Sequence, residues 1–269
     1  MTSAADDSNN EVADLVGKLV ASEETDGAER RRLLGRLGGA LARSAGKARQ
    51  RGVGRGRWLA DVFMNIAPRL PVRDLETLRE HHYGLTGEQL ADDLVRTAAK
   101  ATTAVGAVGG ALAAAEFAAP PLLLSAPAQI VAETLVVAAI EVKLLAELHE
   151  VYDVRVPGNG TQRAAAFALA WSKQRGVNPL APGSATLALG TAAKTALRNR
   201  LMRTLGRHLT TLGPFLTGAV AGGALNRAAT KKLAAAVRAD LRRQRALPRS
   251  DAPASELTPP SSGKPPASG

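Results

Sequence analysis

Apolar positions recur at helical spacing along most of the chain. Leu33, Leu34, Leu37, Leu41 and Ala48 share one side of a helical wheel, with Arg32, Arg36, Arg43 and Lys47 on the other. Val72, Leu75 and Leu78 repeat the pattern after Pro71, a residue suited to a first helical turn because it has no N–H to leave unpaired. That helix is predicted to stop near Gly84. Thr86, with Gln89 three residues on, makes a capping-box pattern and predicts a second helix that continues to Pro120-Pro121. A third is predicted over about 128–150, apolar around most of its circumference in its first half. VPGNG (156–160) predicts a loop, 161–175 a short helix, and NPLAPGS (178–184) another loop. A long helical stretch is predicted from 184 to about 243, kinked at Gly213-Pro214. No long run alternates Val, Ile and Thr at period 2, as a strand would.

Composition supports the same fold. Hydrophobic residues are 45% of the 269 but aromatics only 3%, so the core must be built from Ala, Leu and Val. Ala and Leu lose little side-chain freedom in a helix. The expectation is an all-α helical bundle with two Ala/Gly-rich apolar hairpins and disordered tails. Its predicted divisions are an acidic disordered tail (1–28, with a short helix around 12–20), a basic amphipathic segment (29–57), a helical domain (58–245) and a Pro/Ser-rich disordered tail (246–269). The start lacks both the basic region and the apolar run of a secretory signal, which predicts a cytoplasmic protein.

Charge changes the picture in one place. Of a net +11, the stretch from Arg30 to Arg57 carries ten Arg or Lys and no acid. Such a segment seeks a polyanion. With its leucines on one face and its cations on the other, it has the pattern of an interfacial helix on anionic lipid. Each cation near such a surface contributes on the order of 1 kcal/mol. Gly35, Gly38, Gly39 and Gly46 weaken it by about 1 kcal/mol each relative to Ala, which points to folding on binding. A solvated cationic linker and a nucleic-acid contact are the rival readings. The second lacks the aromatics that base stacking uses, Trp58 being the one nearby.

Three uncharged stretches bear on membrane contact. Ala101–Ala115 is ten parts in fifteen Ala or Gly and gains little from lipid. Residues 121–140 hold nine Leu, Ile or Val, worth about −4.5 kcal/mol on insertion, of which Glu133 returns about 3. That sum leaves a hairpin buried in protein and a hairpin dipped into the bilayer both open, as does 209–226. GAVGGALAAA (106–115) and GAVAGGALNRAA (218–229) echo each other. Gly106 and Gly110, and Gly218 and Gly222, stand four apart, the small-residue spacing that permits close helix packing, so the two stretches are expected to meet. Arg200, Arg203 and Arg207 form a second basic helix face.

Candidate chemistry is thin. There is no cysteine, HExxH, GxxxxGK[ST] or GxSxG, and GVGRGR (52–57) lacks a preceding strand. Glu147, His149, Glu150 and Asp153 match no ligand spacing and read as helix-end surface charge. Asp92 and Asp93 suit the positive end of a helix. No catalytic residue, metal or cofactor is expected.

LMRTLGRHLTTLGPFLTGAVAGGALNRAATKKLAAAVRADL (201–241) resembles the C-terminal part of the EcsC family: a basic helix, a proline, a Gly/Ala-rich apolar turn, an asparagine and a final helix. Pro214, Gly218, Gly222, Gly223 and Asn226 occupy those places, and GAVGGAL with HEVYDV (149–154) is similar to that family's middle. The resemblance covers roughly 75–243. It implies a bacterial protein at the cytoplasmic membrane and no defined reaction. The basic extension and the Pro-rich tail depart from the family. The functional expectation is a non-enzymatic scaffold or regulator on the cytoplasmic face of the membrane. Its expected partners are anionic lipid and an integral membrane protein such as a transporter. A soluble helical adaptor and a nucleic-acid binder using 30–57 are the alternatives.

Overall fold

In the computed structural model, which describes residues 4–21, 26–53, 55–118, 126–174 and 214–246, the chain is all-α. In order it runs through α1 (Ala4–Ala21), α2 (Gly27–Gln50), α3 (Arg55–Ile66), a 3₁₀ turn (Ala67–Arg69), α4 (Leu75–His81), α5 (Gly87–Ala118), α6 (Ala126–Val151), α7 (Gly160–Gln174) and α8 (Pro214–Ala246). No strand occurs among the described residues.

The most apolar helix takes the centre. α6 touches α1, α2, α4, α5, α7 and α8, and every residue from Ala138 to Val142 and from Leu144 to Leu148 is buried. A helix apolar on all sides needs such a surround, of protein or of lipid. Here protein supplies it over the described part: within 129–140, Ala132, Leu135, Val136, Ala138, Ala139 and Ile140 are buried in the bundle and the rest are partly covered. No helix of the described residues is long and apolar enough to cross a membrane.

The N-terminal expectations are corrected. Within the predicted tail the helix expected around 12–20 is present but longer, α1 spanning Ala4–Ala21, and it belongs to the core where a solvated tail was expected. Val12, Leu15, Val16 and Leu19, at i, i+3, i+4 and i+7, are at most 4% exposed. α2 is likewise neither a linker nor a helix waiting for lipid. Leu33, Leu34, Leu37 and Leu41 are all buried against α1, α5 and α6. Burying a leucine contributes about 1.5–3 kcal/mol, so the four offset the roughly 4 kcal/mol that the four glycines cost.

α4 starts later than Pro71 suggests. Asp74 is its cap, accepting a hydrogen bond from the Thr77 backbone N–H (2.8 Å), while Pro71 and Val72 stay exposed on the approach. The helix ends at His81, and the turn that follows it reaches Gly84, whose φ of +77° costs glycine nothing. α7 opens on a reciprocal cap: Gln162 N–H donates to Asn159 Oδ1 and Asn159 N–H to Gln162 Oε1, both 2.9 Å.

α5 and α8 approach most closely at glycines. A Cβ on Gly106 would collide with the Gly222 carbonyl oxygen and lie 2.6 Å from Asn226 Nδ2. A Cβ on Gly222 would collide with the Gly106 carbonyl and lie 3.5 Å from the Gly110 Cα. The missing side chains let the two backbones touch. Asn226 Nδ2 donates across the seam to the Thr102 carbonyl (3.1 Å). The surroundings of Gly218 lie outside the described residues.

Candidate functional site: a cationic helix face over a polar-locked core

The four cations of α2 stay on the side away from its leucines. Arg32, Arg36 and Arg43 are exposed and Lys47 is half-buried. Their independence differs. Arg43 pairs with Glu11 of α1 at 2.8 Å, and Lys47 is engaged within the fold. Arg32 and Arg36 make no ion pair among the described residues. Leu33, Leu37 and Leu41, expected to enter lipid beside these cations, are at most 9% exposed. The interfacial role is thereby corrected: the apolar half of the pattern is spent on the protein's own core. Arg200, Arg203 and Arg207 lie outside the described residues.

α2 is anchored to its neighbours by polar contacts along one flank. Ser44, buried, donates to Asn9 Oδ1 (3.0 Å) and accepts from Trp58 Nε1 (2.9 Å). That joins α1 and α3 to α2 through one hydroxyl.

The core holds a polar chain that the sequence did not announce. Glu141 on α6 is 0% exposed. Its carboxylate accepts from Trp171 Nε1 of α7 (2.8 Å) and from Thr230 Oγ1 of α8 (2.8 Å). Thr230 Oγ1 also lies 3.0 Å from Thr102 Oγ1 of α5, whose hydroxyl is within hydrogen-bond reach of the Ala99 carbonyl as well (3.3 Å). Three helices therefore meet at one carboxylate, and α5 joins them through Thr230. Such a network favours one arrangement of the helices because each misplacement leaves a buried group unpaired. Its members are 30 and 89 residues apart, and no local spacing could have pointed to them.

A second cluster closes one end of the bundle. Glu88, in the first turn of α5, accepts from Arg238 Nη2 and Arg242 Nη2 of α8, both 2.6 Å, and from the Tyr152 hydroxyl (3.0 Å). Arg238 also reaches Asp92 (2.5 Å) and donates through Nε to Tyr152 (3.0 Å). The Arg242 hydrogen bond, with help from Arg238 and Tyr152 and against some desolvation, holds the Glu88 carboxyl at about 2. Asp93 pairs with His82, which is buried, at 2.6 Å, and with Arg96 at 3.1 Å. Asp92 and Asp93 thus serve tertiary pairs as well as the helix end.

The acids at the end of α6 divide. Glu147 is not surface charge: it is 2% exposed and pairs with Lys143 at 2.8 Å. Glu150 and Asp153 are exposed, and half-buried His149 turns Nδ1 to the Leu145 carbonyl (2.7 Å). Burial lowers the His149 pKa, opposed by that backbone bond. No group of three or more His, Asp or Glu among the described residues could hold a metal ion. Compared with protein-family models, with curated proteins and with solved structures, the chain matches none.

Proposed function

We propose that this chain is a non-enzymatic helical scaffold or regulator that rests on an anionic membrane surface, on the cytoplasmic side, through the exposed cations of α2. One observation carries the proposal: Arg32 and Arg36 face outward, without ion pairs among the described residues, from a helix whose leucines the core has taken up. A helix fixed in this way offers a surface charge and no apolar face. The contact is therefore peripheral, with on the order of 1 kcal/mol per cation, and it weakens as salt screens it. The resemblance to the EcsC family fits the same setting, and a transporter or similar integral protein is the partner class it implies.

Vesicle co-sedimentation tests this. The full chain is expected to pellet with vesicles containing phosphatidylglycerol at low salt and to be released at high salt. The double variant Arg32→Glu/Arg36→Glu is expected to lose that binding while its thermal midpoint stays unchanged, because both residues are exposed. Deleting 30–57 would remove core leucines and unfold the domain, so charge reversal is the cleaner perturbation. Equal binding by the variant, or release only by detergent, sinks the proposal. Affinity for duplex DNA equal to that for acidic vesicles moves the assignment to nucleic acid.

A further inference from the structure

An open cavity of about 630 Å³ lies between the 3₁₀ turn, the approach to α4, the last turns of α6, and α7. Cavities that hold drug-sized ligands measure roughly 300–1,000 Å³. Its lining is divided by chemistry. Val142 and Ala146 are buried and apolar, and Phe167 joins them from α7. Arg155 and Arg163 are exposed and also line it.

The lining carries three guanidiniums, Arg73, Arg155 and Arg163, and three carboxylates, Asp74, Glu150 and Asp153, and they differ in which are already committed. Arg73 is engaged within the fold. Asp74 is committed as the cap of α4, and Asp153 is already engaged. Glu150 remains as the acid beside Arg155 and Arg163, neither of which makes an ion pair among the described residues. His149 meets Phe167 edge-on at 4.9 Å between ring centres, with Nδ1 turned to the Leu145 carbonyl, and burial disfavours its charged form. Two guanidiniums are thus set beside an apolar recess large enough for a ligand. A guanidinium binds a carboxylate through two parallel hydrogen bonds, a geometry that a lone ammonium cannot offer.

We propose that this cavity binds a single-chain amphipathic acid, with its apolar body against Val142, Ala146 and Phe167 and its carboxylate on Arg155 and Arg163. The proposal is independent of the α2 surface, which lies on other helices.

Isothermal titration of the full chain with dodecanoate, kept below its micelle concentration, tests it. One site per chain is expected. Acetate and dodecanol, the two halves of the ligand, are each expected to bind at least ~10-fold more weakly. Arg155→Ala/Arg163→Ala should weaken dodecanoate by ~10-fold or more, as loss of charge-assisted hydrogen bonds does. Ala164→Trp, which fills the cavity from α7, should abolish binding. Should that variant fail to fold, the double arginine variant still decides, since both side chains are exposed. Dodecanol binding as tightly as dodecanoate overturns the head-group assignment. So does dodecyl phosphate binding ~10-fold more tightly than dodecanoate. Acetate binding as tightly as dodecanoate, or several sites per chain untouched by Ala164→Trp, overturns the cavity itself.

Discussion

Replacing Gly106 with alanine adds one methyl group, and the structure says where it goes. An ideal Cβ there collides with the backbone carbonyl oxygen of Gly222 and lies 2.8 Å from that residue's carbonyl carbon. A side chain could rotate away, but a backbone in mid-helix cannot. α5 and α8 must therefore separate, which also stretches the Asn226 bond to the Thr102 carbonyl. Overpacking of this kind costs about 1–3 kcal/mol, and a backbone obstacle belongs at the upper end. Against it stands the helix preference of Ala over Gly, about 1 kcal/mol. The net is roughly 2 kcal/mol of destabilisation, or ~4–8 °C in thermal midpoint for a chain of this size. Gly35 is the control. It is exposed on α2 and a Cβ there would meet nothing within 4 Å. Gly35→Ala should therefore gain up to about 1 kcal/mol, or ~2–4 °C. Thermal melts followed by circular dichroism measure both. A Gly106→Ala midpoint at or above that of the parent, with Gly35→Ala behaving as expected, would mean that α5 and α8 do not touch at this seam.

Two further outcomes follow from the polar clusters. Trp171→Phe removes one donor from the buried Glu141 carboxylate and should cost about 1–3 kcal/mol in urea unfolding; combined with Glu141→Leu it should depart from additivity by at least ~0.5 kcal/mol, and strict additivity would refute the link. Glu88 titrates at about 2 in the fold against an ordinary 4.5, so its contribution is present above about pH 4.5 and is lost as the pH falls towards 2. Its side chain is 52% exposed, so solvent screening keeps that contribution within about 1 kcal/mol. Acid titrations of stability should show a shallower decline for Glu88→Gln in that window, and an unchanged slope would remove Glu88 from the account.

How far each element could be read in advance depended on whether its cause was local. Pro120-Pro121 forbids continuation of a helix, and α5 stops at Ala118. Of the helix predicted over 184–243, the described part is α8 from Pro214, and the stretch before it lies outside the described residues. The 3.6-residue period and the lack of strand alternation determined the all-α class. The four-residue spacing of Gly106 with Gly110, and of Gly218 with Gly222, marked faces able to pack closely, because the cue is simply the missing side chain.

Tertiary structure decided what the amphipathic faces meet. The leucines of α2 satisfy the same periodicity whether their neighbour is lipid or protein. Burial free energy depends on area removed from water, and the identity of the neighbour leaves no mark on the pattern. α1 was obscured similarly: Val12, Leu15, Val16 and Leu19 form a stripe, but the acidic and polar residues before it suggested a solvated tail. Glu141 depends on residues far apart along the chain. A carboxylate in the middle of an apolar helix is costly until a Trp from α7 and a Thr from α8 arrive to hydrogen-bond it, and only the packed fold brings those donors to it.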